Sequence, residues 1–212
     1  MQMFYALVYS LVVPVSAAAD DTKLTYLDIQ PQTNQKLSRD QGDLEGNNLK
    51  NVPTGEQELG GLKFKIGESM IHLKGEFEPD LPAKVAGIKV DAPFTKLYIL
   101  HSTCHGAGMG EQEEKSEVAA YVIHYADKSE ERIPVLYGED VRDWWFPEDS
   151  PGVTKGKVAW VGTNPPATDN SCKIRLYSKV WTNPNPDKKV ETIDYESKNT
   201  KCDPFLIGLT IE

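Results

Sequence analysis

Two tryptophans stand side by side at Trp144 and Trp145, directly after Arg142 and Asp143. The combination suits sugar recognition. A flat aromatic covers the apolar face of a sugar ring, and charged or amide groups bond to its hydroxyls. On this reading Trp144 and Trp145 stack on the ligand, while Asp143, Arg142 and Asn183 supply the hydrogen bonds. The competing role for such a pair is to close one end of an apolar core, with Arg142 and Asp143 tying the loop together. A third role is polysaccharide hydrolysis, which needs two carboxylates at a fixed separation. Asp140 or Asp143 would serve as acid or base, and Glu139 and Asp127 are also at hand. The chain has no Gly-x-Ser-x-Gly turn and no His-Glu-x-x-His pattern. A non-enzyme is therefore expected, with no catalytic residue assigned.

Three further stretches carry chemistry-bearing types. His101-Ser102-Thr103-Cys104-His105 holds three soft-metal ligands in five residues. No second Cys/His pair stands at metal spacing, so these residues are read as a strand end and no metal is expected. Asp40 to Asn48 is rich in oxygen ligands, as a calcium loop is, but it lacks the helix-flanked calcium spacing. A solvated loop with no cofactor is expected there, with a structural calcium as the alternative. Gly106 to Gly110 is glycine-rich after a strand, but the acidic run that follows is no helix with an apolar face, which excludes a dinucleotide loop. The three cysteines, Cys104, Cys172 and Cys202, allow one disulfide and one leftover thiol, and Cys172 with Cys202 is the pairing considered.

The elements that must position these residues are short and strand-like. Tyr26–Ile29, Leu62–Ile66, Met70–Leu73, Val85–Val90, Leu97–His101, Val118–Tyr125, Arg132–Leu136, Val158–Val161, Cys172–Tyr177, Val190–Tyr195 and Phe205–Ile211 are the candidates. Ile174, Leu176 and Val180 alternate with Lys173, Arg175 and Lys179, which predicts one face in and one face out. Phe205, Ile207, Leu209 and Ile211 are expected to share a face. Ten or eleven strands with no convincing helix predict an all-β fold, an antiparallel two-sheet β-sandwich.

The chain of 212 residues fits a signal segment at 1–19 and one domain at 20–212. Phe4 to Ala19 is apolar and ends in small residues before Asp20-Asp21, the pattern of a cleaved export signal, although no Lys or Arg precedes it. A secreted or periplasmic protein with no membrane attachment after signal removal is expected. The net charge of −9 excludes a nucleic-acid backbone as partner, since no basic face is sustained on that balance.

A series of motifs runs through the chain in order: Asn47-Asn48-Leu49, Pro53-Thr54-Gly55-Glu56-Gln57, Gly60-Gly61-Leu62-Lys63-Phe64-Lys65-Ile66, Leu97-Tyr98-Ile99-Leu100-His101, Val122-Ile123-His124-Tyr125-Ala126-Asp127, Tyr137 to Trp145, Trp181-Thr182-Asn183-Pro184 and Ile193-Asp194-Tyr195. Over about residues 24 to 212 the series resembles a bacterial family of galactose-binding-like jelly-roll modules, found beside glycosidases and attached to bacterial kinases and other signalling proteins. The resemblance implies a non-catalytic jelly roll that recognises carbohydrate or a cell-envelope polymer, with a protein partner as the alternative. Cys104-His105 departs from the glycine-rich form usual in that family after the strand ending at His101.

Overall fold

The computed structural model describes residues 23–42, 44–107 and 112–212. The expected export signal lies outside the described residues. In chain order the strands are β1 (Thr25–Leu27), β2 (Gln35–Lys36), β3 (Gly55–Leu59), β4 (Leu62–Ile66), β5 (Ser69–His72), β6 (Lys84–Ala92) and β7 (Lys96–Cys104). Then follow β8 (Glu117–Tyr125), β9 (Glu130–Leu136), β10 (Trp145–Pro147), β11 (Lys157–Gly162), the one-turn helix α1 (Pro165–Asp169), β12 (Cys172–Thr182), β13 (Val190–Ser197) and β14 (Asp203–Ile211), and a short 3-10 turn at Gln30–Gln32 lies between β1 and β2. The fold is all-β, a sandwich of antiparallel sheets. Among the described residues no helix is long and apolar enough to cross a membrane.

The larger sheet runs β10-β12-β7-β14-β5-β2, with β11 added on β12 and β1 on β14; the facing sheet runs β6-β13-β8-β9. Pro134 sits in β9, an edge strand, where its missing N–H costs no ladder bond. The β3–β4 hairpin turns through Gly60 and Gly61 at φ +62° and +84°. A two-residue turn with both φ positive matches the twist of its strands, and glycine enters that region without strain. At Gly60 a Cβ would stand 3.0 Å from the Ala159 backbone.

Two cores result. One lies between the sheets, where Leu97, Ile99, Leu206 and Leu209 meet Tyr121, Ile123, Ile193 and Tyr195. Tyr121 and Tyr195 stack there at 4.6 Å. The other lies on the opposite face of the larger sheet, where Phe64 and Ile66 of the hairpin and Leu37, Leu49 and Val52 of the preceding loop cover Ile174, Leu176, Phe205 and Ile207. The larger sheet is thus covered on both faces, and β7 and β14 are buried almost throughout.

Two expectations of alternation are overturned, the first in β12 and the second in β14. Arg175 is buried at 3% exposure while Val180, expected inside, is 49% exposed. The row Arg175, Tyr177, Lys179 and Trp181 faces the second sheet, and Lys179 reaches Asp140 at 2.7 Å. In β14 the register shifts between Leu206 and Gly208. This bulge puts Phe205 and Ile207 in the outer core and Leu209 and Ile211 in the inner one. The cysteines are all free thiols. Cys202 lies in the inner core and Cys172 packs against the outer one, so the considered Cys172–Cys202 bridge does not form.

Candidate functional site

The site forms where β7 and β12 part company. They pair from Thr182↔Lys96 up to Tyr177↔His101, and beyond that point β12 takes a different partner. The 143–145 segment fills the gap. Asp143 bridges Thr103, Trp144 N–H donates to Thr103 O at 2.8 Å, and Trp145 pairs with Ile174. Extended backbone sends neighbouring side chains to opposite sides. The indole of Trp144 therefore goes inward, 3% exposed, edge-on to Phe205 at 6.3 Å. Trp145 stays half-buried and its Nε1–H donates to Oδ1 of Asn47 at 3.0 Å.

Asp143 is buried, and its carboxylate gathers the surrounding backbone. Oδ2 accepts from Gly106 N at 2.7 Å and Ala107 N at 3.2 Å, and Oδ1 accepts from Trp145 N at 2.8 Å. Burial pushes its pKa up to about 6, against the pull of those three N–H groups. Arg142 makes a two-pronged pair with Glu114 at 2.6 and 3.0 Å, donates to Gly152 O at 2.8 Å and lies over the Tyr137 ring.

These groups wall a cleft of about 680 Å³, lined also by Gly106, Tyr137, Pro147, Ser150 and Arg175. Arg175 stacks on Phe146 at 4.3 Å and donates to Asp143 O, Ser150 Oγ and Pro151 O at 3.2 to 3.5 Å. Among the described residues it has no carboxylate partner, and burial lowers its pKa. A second cavity of about 280 Å³ adjoins across Asp143 and Trp145, and is lined by Gln41, Leu44, Asn47 and His105.

Of the five residues expected to bind ligand, Arg142, Asp143 and Trp145 share the cleft. Trp144 is turned into the core. Asn183 follows β12 at its far end, where it accepts from Tyr125 OH at 2.6 Å and Asn185 N at 2.9 Å and donates to Phe94 O at 3.0 Å. Asp140 is 2% exposed and bound by Lys179 and Leu136 N. In the oxygen-rich loop, Asp40 accepts from Asn48 at 2.6 Å, and Asn47 accepts from both Trp145 and Asn164; Asp43 lies outside the described residues. Arg175 was missed because the alternation of β12 marked it as an outward residue. Tyr137 stood within the aromatic stretch but carried no pattern of its own.

No family model, curated protein or solved structure matches the chain.

Proposed function

We propose that this is a secreted or periplasmic, non-catalytic carbohydrate-binding module, a galactose-binding-like jelly roll whose ligand is a glycan or cell-envelope polymer. The observation that carries the reading is the cleft beside Trp145. Its volume of about 680 Å³ falls in the size range of small-molecule sites. It joins one half-exposed indole to two guanidinium groups and a ring of oxygens. Trp145 supplies the stacking face. Arg142 and Arg175 offer planar donor forks for adjacent hydroxyls or an acidic substituent. A non-catalytic role is supported by the carboxylates: Asp140 is held by Lys179, and both oxygens of Asp143 are taken by backbone N–H groups.

Glycan-array screening followed by affinity gel electrophoresis tests the reading. Wild type retards on at least one polysaccharide, and Trp145→Ala loses roughly tenfold or more in affinity, the scale of one lost aromatic anchor. Equal binding by Trp145→Ala, or no binding across the array, rejects the assignment. The second reading, a protein-interaction sandwich with no small ligand, is favoured by Trp144 being core and by Arg142 being occupied with Glu114. Turnover of a bound polysaccharide that vanishes in Asp143→Asn would replace both with a hydrolase.

A further inference from the structure

The His101–His105 stretch takes on a different meaning once the strands are in place. Alternation sends His101 into the inner core, 3.2 Å from Tyr121 OH, and Cys104 to the outer face. Four neighbouring strands then end in a row at the same edge. Cys104 closes β7, Asp203 opens β14, His72 closes β5 and Gln35 opens β2. The registers Asp203↔Cys104, Phe205↔His72 and Gln35↔Met70 put all four side chains on one face. One donor atom from each of His72, Cys104 and Asp203 lies within 4.8 Å of the others, and all three residues are buried.

The surroundings are those of ligands held in place. His72 Nε2 is 2.8 Å from Asp203 Oδ2, and its Nδ1 is 3.0 Å from Gln35 Oε1. Without a cation, Nε2–H donates to the carboxylate; with one bound, the ring proton would move to Nδ1, where Gln35 Oε1 accepts it, and Nε2 would be freed as a donor atom, the outer support usual for a metal-bound imidazole. The other oxygen, Asp203 Oδ1, is 2.5 Å from His105 Nδ1. His105 folds back through φ +57° and lines the 280 Å³ cavity, which gives the buried cluster a side facing solvent.

A plain hydrogen-bonded ladder, Gln35–His72–Asp203–His105, holds the histidines, and the neutral Cys104 thiol donates to the same carboxylate. A divalent cation would take the same three donors in place of those protons. One M²⁺ enters, the Cys104 thiol proton leaves to solvent, and the His72 ring proton sits on Nδ1. The charges of thiolate and carboxylate then cancel those of the ion, so nothing uncompensated is buried. We infer that His72, Cys104 and Asp203 form a binding site for one divalent cation of the zinc class, with Gln35 and His105 as positioning partners. Three protein donors leave one tetrahedral position for a further ligand. The sequence hid the site because its donors are distributed over three strands, with no paired spacing to read.

The test is titration of the chelator-treated, full-length protein with Co²⁺ and then Zn²⁺. One equivalent of Co²⁺ is expected to bind with a sulfur-to-cobalt charge-transfer band in the near ultraviolet, and Zn²⁺ displaces it. Cys104→Ser loses the band, whereas Cys172→Ser keeps it. Gln35→Ala keeps the band but binds roughly 10–100-fold more weakly. If Cys104→Ser does not fold, wild type gives the same answer through proton release: about one proton is expected to leave per Co²⁺ bound at neutral pH, with the charge-transfer band kept in Cys172→Ser. A folded wild type that binds no Co²⁺, or a band that survives in Cys104→Ser, overturns the inference.

Discussion

The two ends of the sandwich are built from similar residue types and arranged to opposite effect. At the end where β7 begins and β12 finishes, the side chains of Asn183 and Lys96 are spent inside the chain. Asn183 bonds to Tyr125, Phe94 and Asn185, Lys96 pairs with Glu212 at 2.6 Å, and Trp181 packs edge-on against Phe94. At the other end β7 and β12 separate, the 143–145 segment fills only part of the gap, and a cleft remains with Arg175 unpaired to any described carboxylate. An Asn, a Trp and a charge pair are therefore no site in themselves. What distinguishes the two ends is whether backbone and side-chain partners are already in reach.

That contrast can be broken or sharpened by four measurements. The largest effect is expected from Trp144→Ala, which empties a fully packed position in the outer core and costs about 3–5 kcal/mol, read as a lower denaturant midpoint at unchanged slope. A loss below ~1 kcal/mol would put Trp144 on the surface with Trp145. Next, Asn183→Ala strands the Tyr125 hydroxyl and the Phe94 carbonyl, at roughly 2–3 kcal/mol by the cost of unsatisfied buried groups, while on the proposed reading any glycan binding stays at the wild-type level. A binding defect without a stability defect would move recognition to the closed end.

The third concerns His101, which burial, with Lys179 repulsion added, lowers to about 3 from its ordinary 6.5. In that window the unfolded chain binds the extra proton, so stability rises with pH and is lost as pH falls below 6.5. Between pH 7 and pH 5 the loss is about 2 kcal/mol, and urea midpoints for wild type and His101→Gln should converge toward acid by that amount. The smallest effect belongs to Glu114→Gln. Its partner Arg142 is at the surface of the cleft, so stability changes by less than ~1 kcal/mol. If the proposed carbohydrate-binding role holds, freeing Arg142 should alter glycan affinity more than it alters the unfolding curve.

The all-β antiparallel fold was legible because short alternating segments between turn residues have few other solutions. Of the strands, β2, β3 and β10 were not read. Gln35-Lys36 is two residues long, Gly55–Leu59 is mostly polar because one face is solvated, and Trp145–Pro147 pairs only because β12 has lost its other neighbour. The α1 turn, opened by Asn164 capping Ala167 N at 2.9 Å and by Pro165 at the first helical position, is too short to leave a periodic trace. At the cleft, Arg142, Asp143 and Trp145 were readable as a local cluster. Which of two adjacent indoles points inward depends on the bridge to Thr103, a contact made across forty residues. Arg175 and the His72–Asp203 pair were illegible for a related reason. Alternation implies one dry face and one wet face, and here a hairpin and a loop have made both faces dry.

The extra residue in β14 carries a consequence for insertions and deletions. Ile207 and Gly208 together oppose Leu100, and the strand changes its allegiance at that step, serving the hairpin side before it and the Tyr121–Tyr195 side after it. Removing one residue there would leave composition and chain length almost untouched. Yet it would exchange the destinations of Leu209, Thr210 and Ile211 in a single move, sending two aliphatic side chains under the hairpin and a hydroxyl toward the stacked tyrosines.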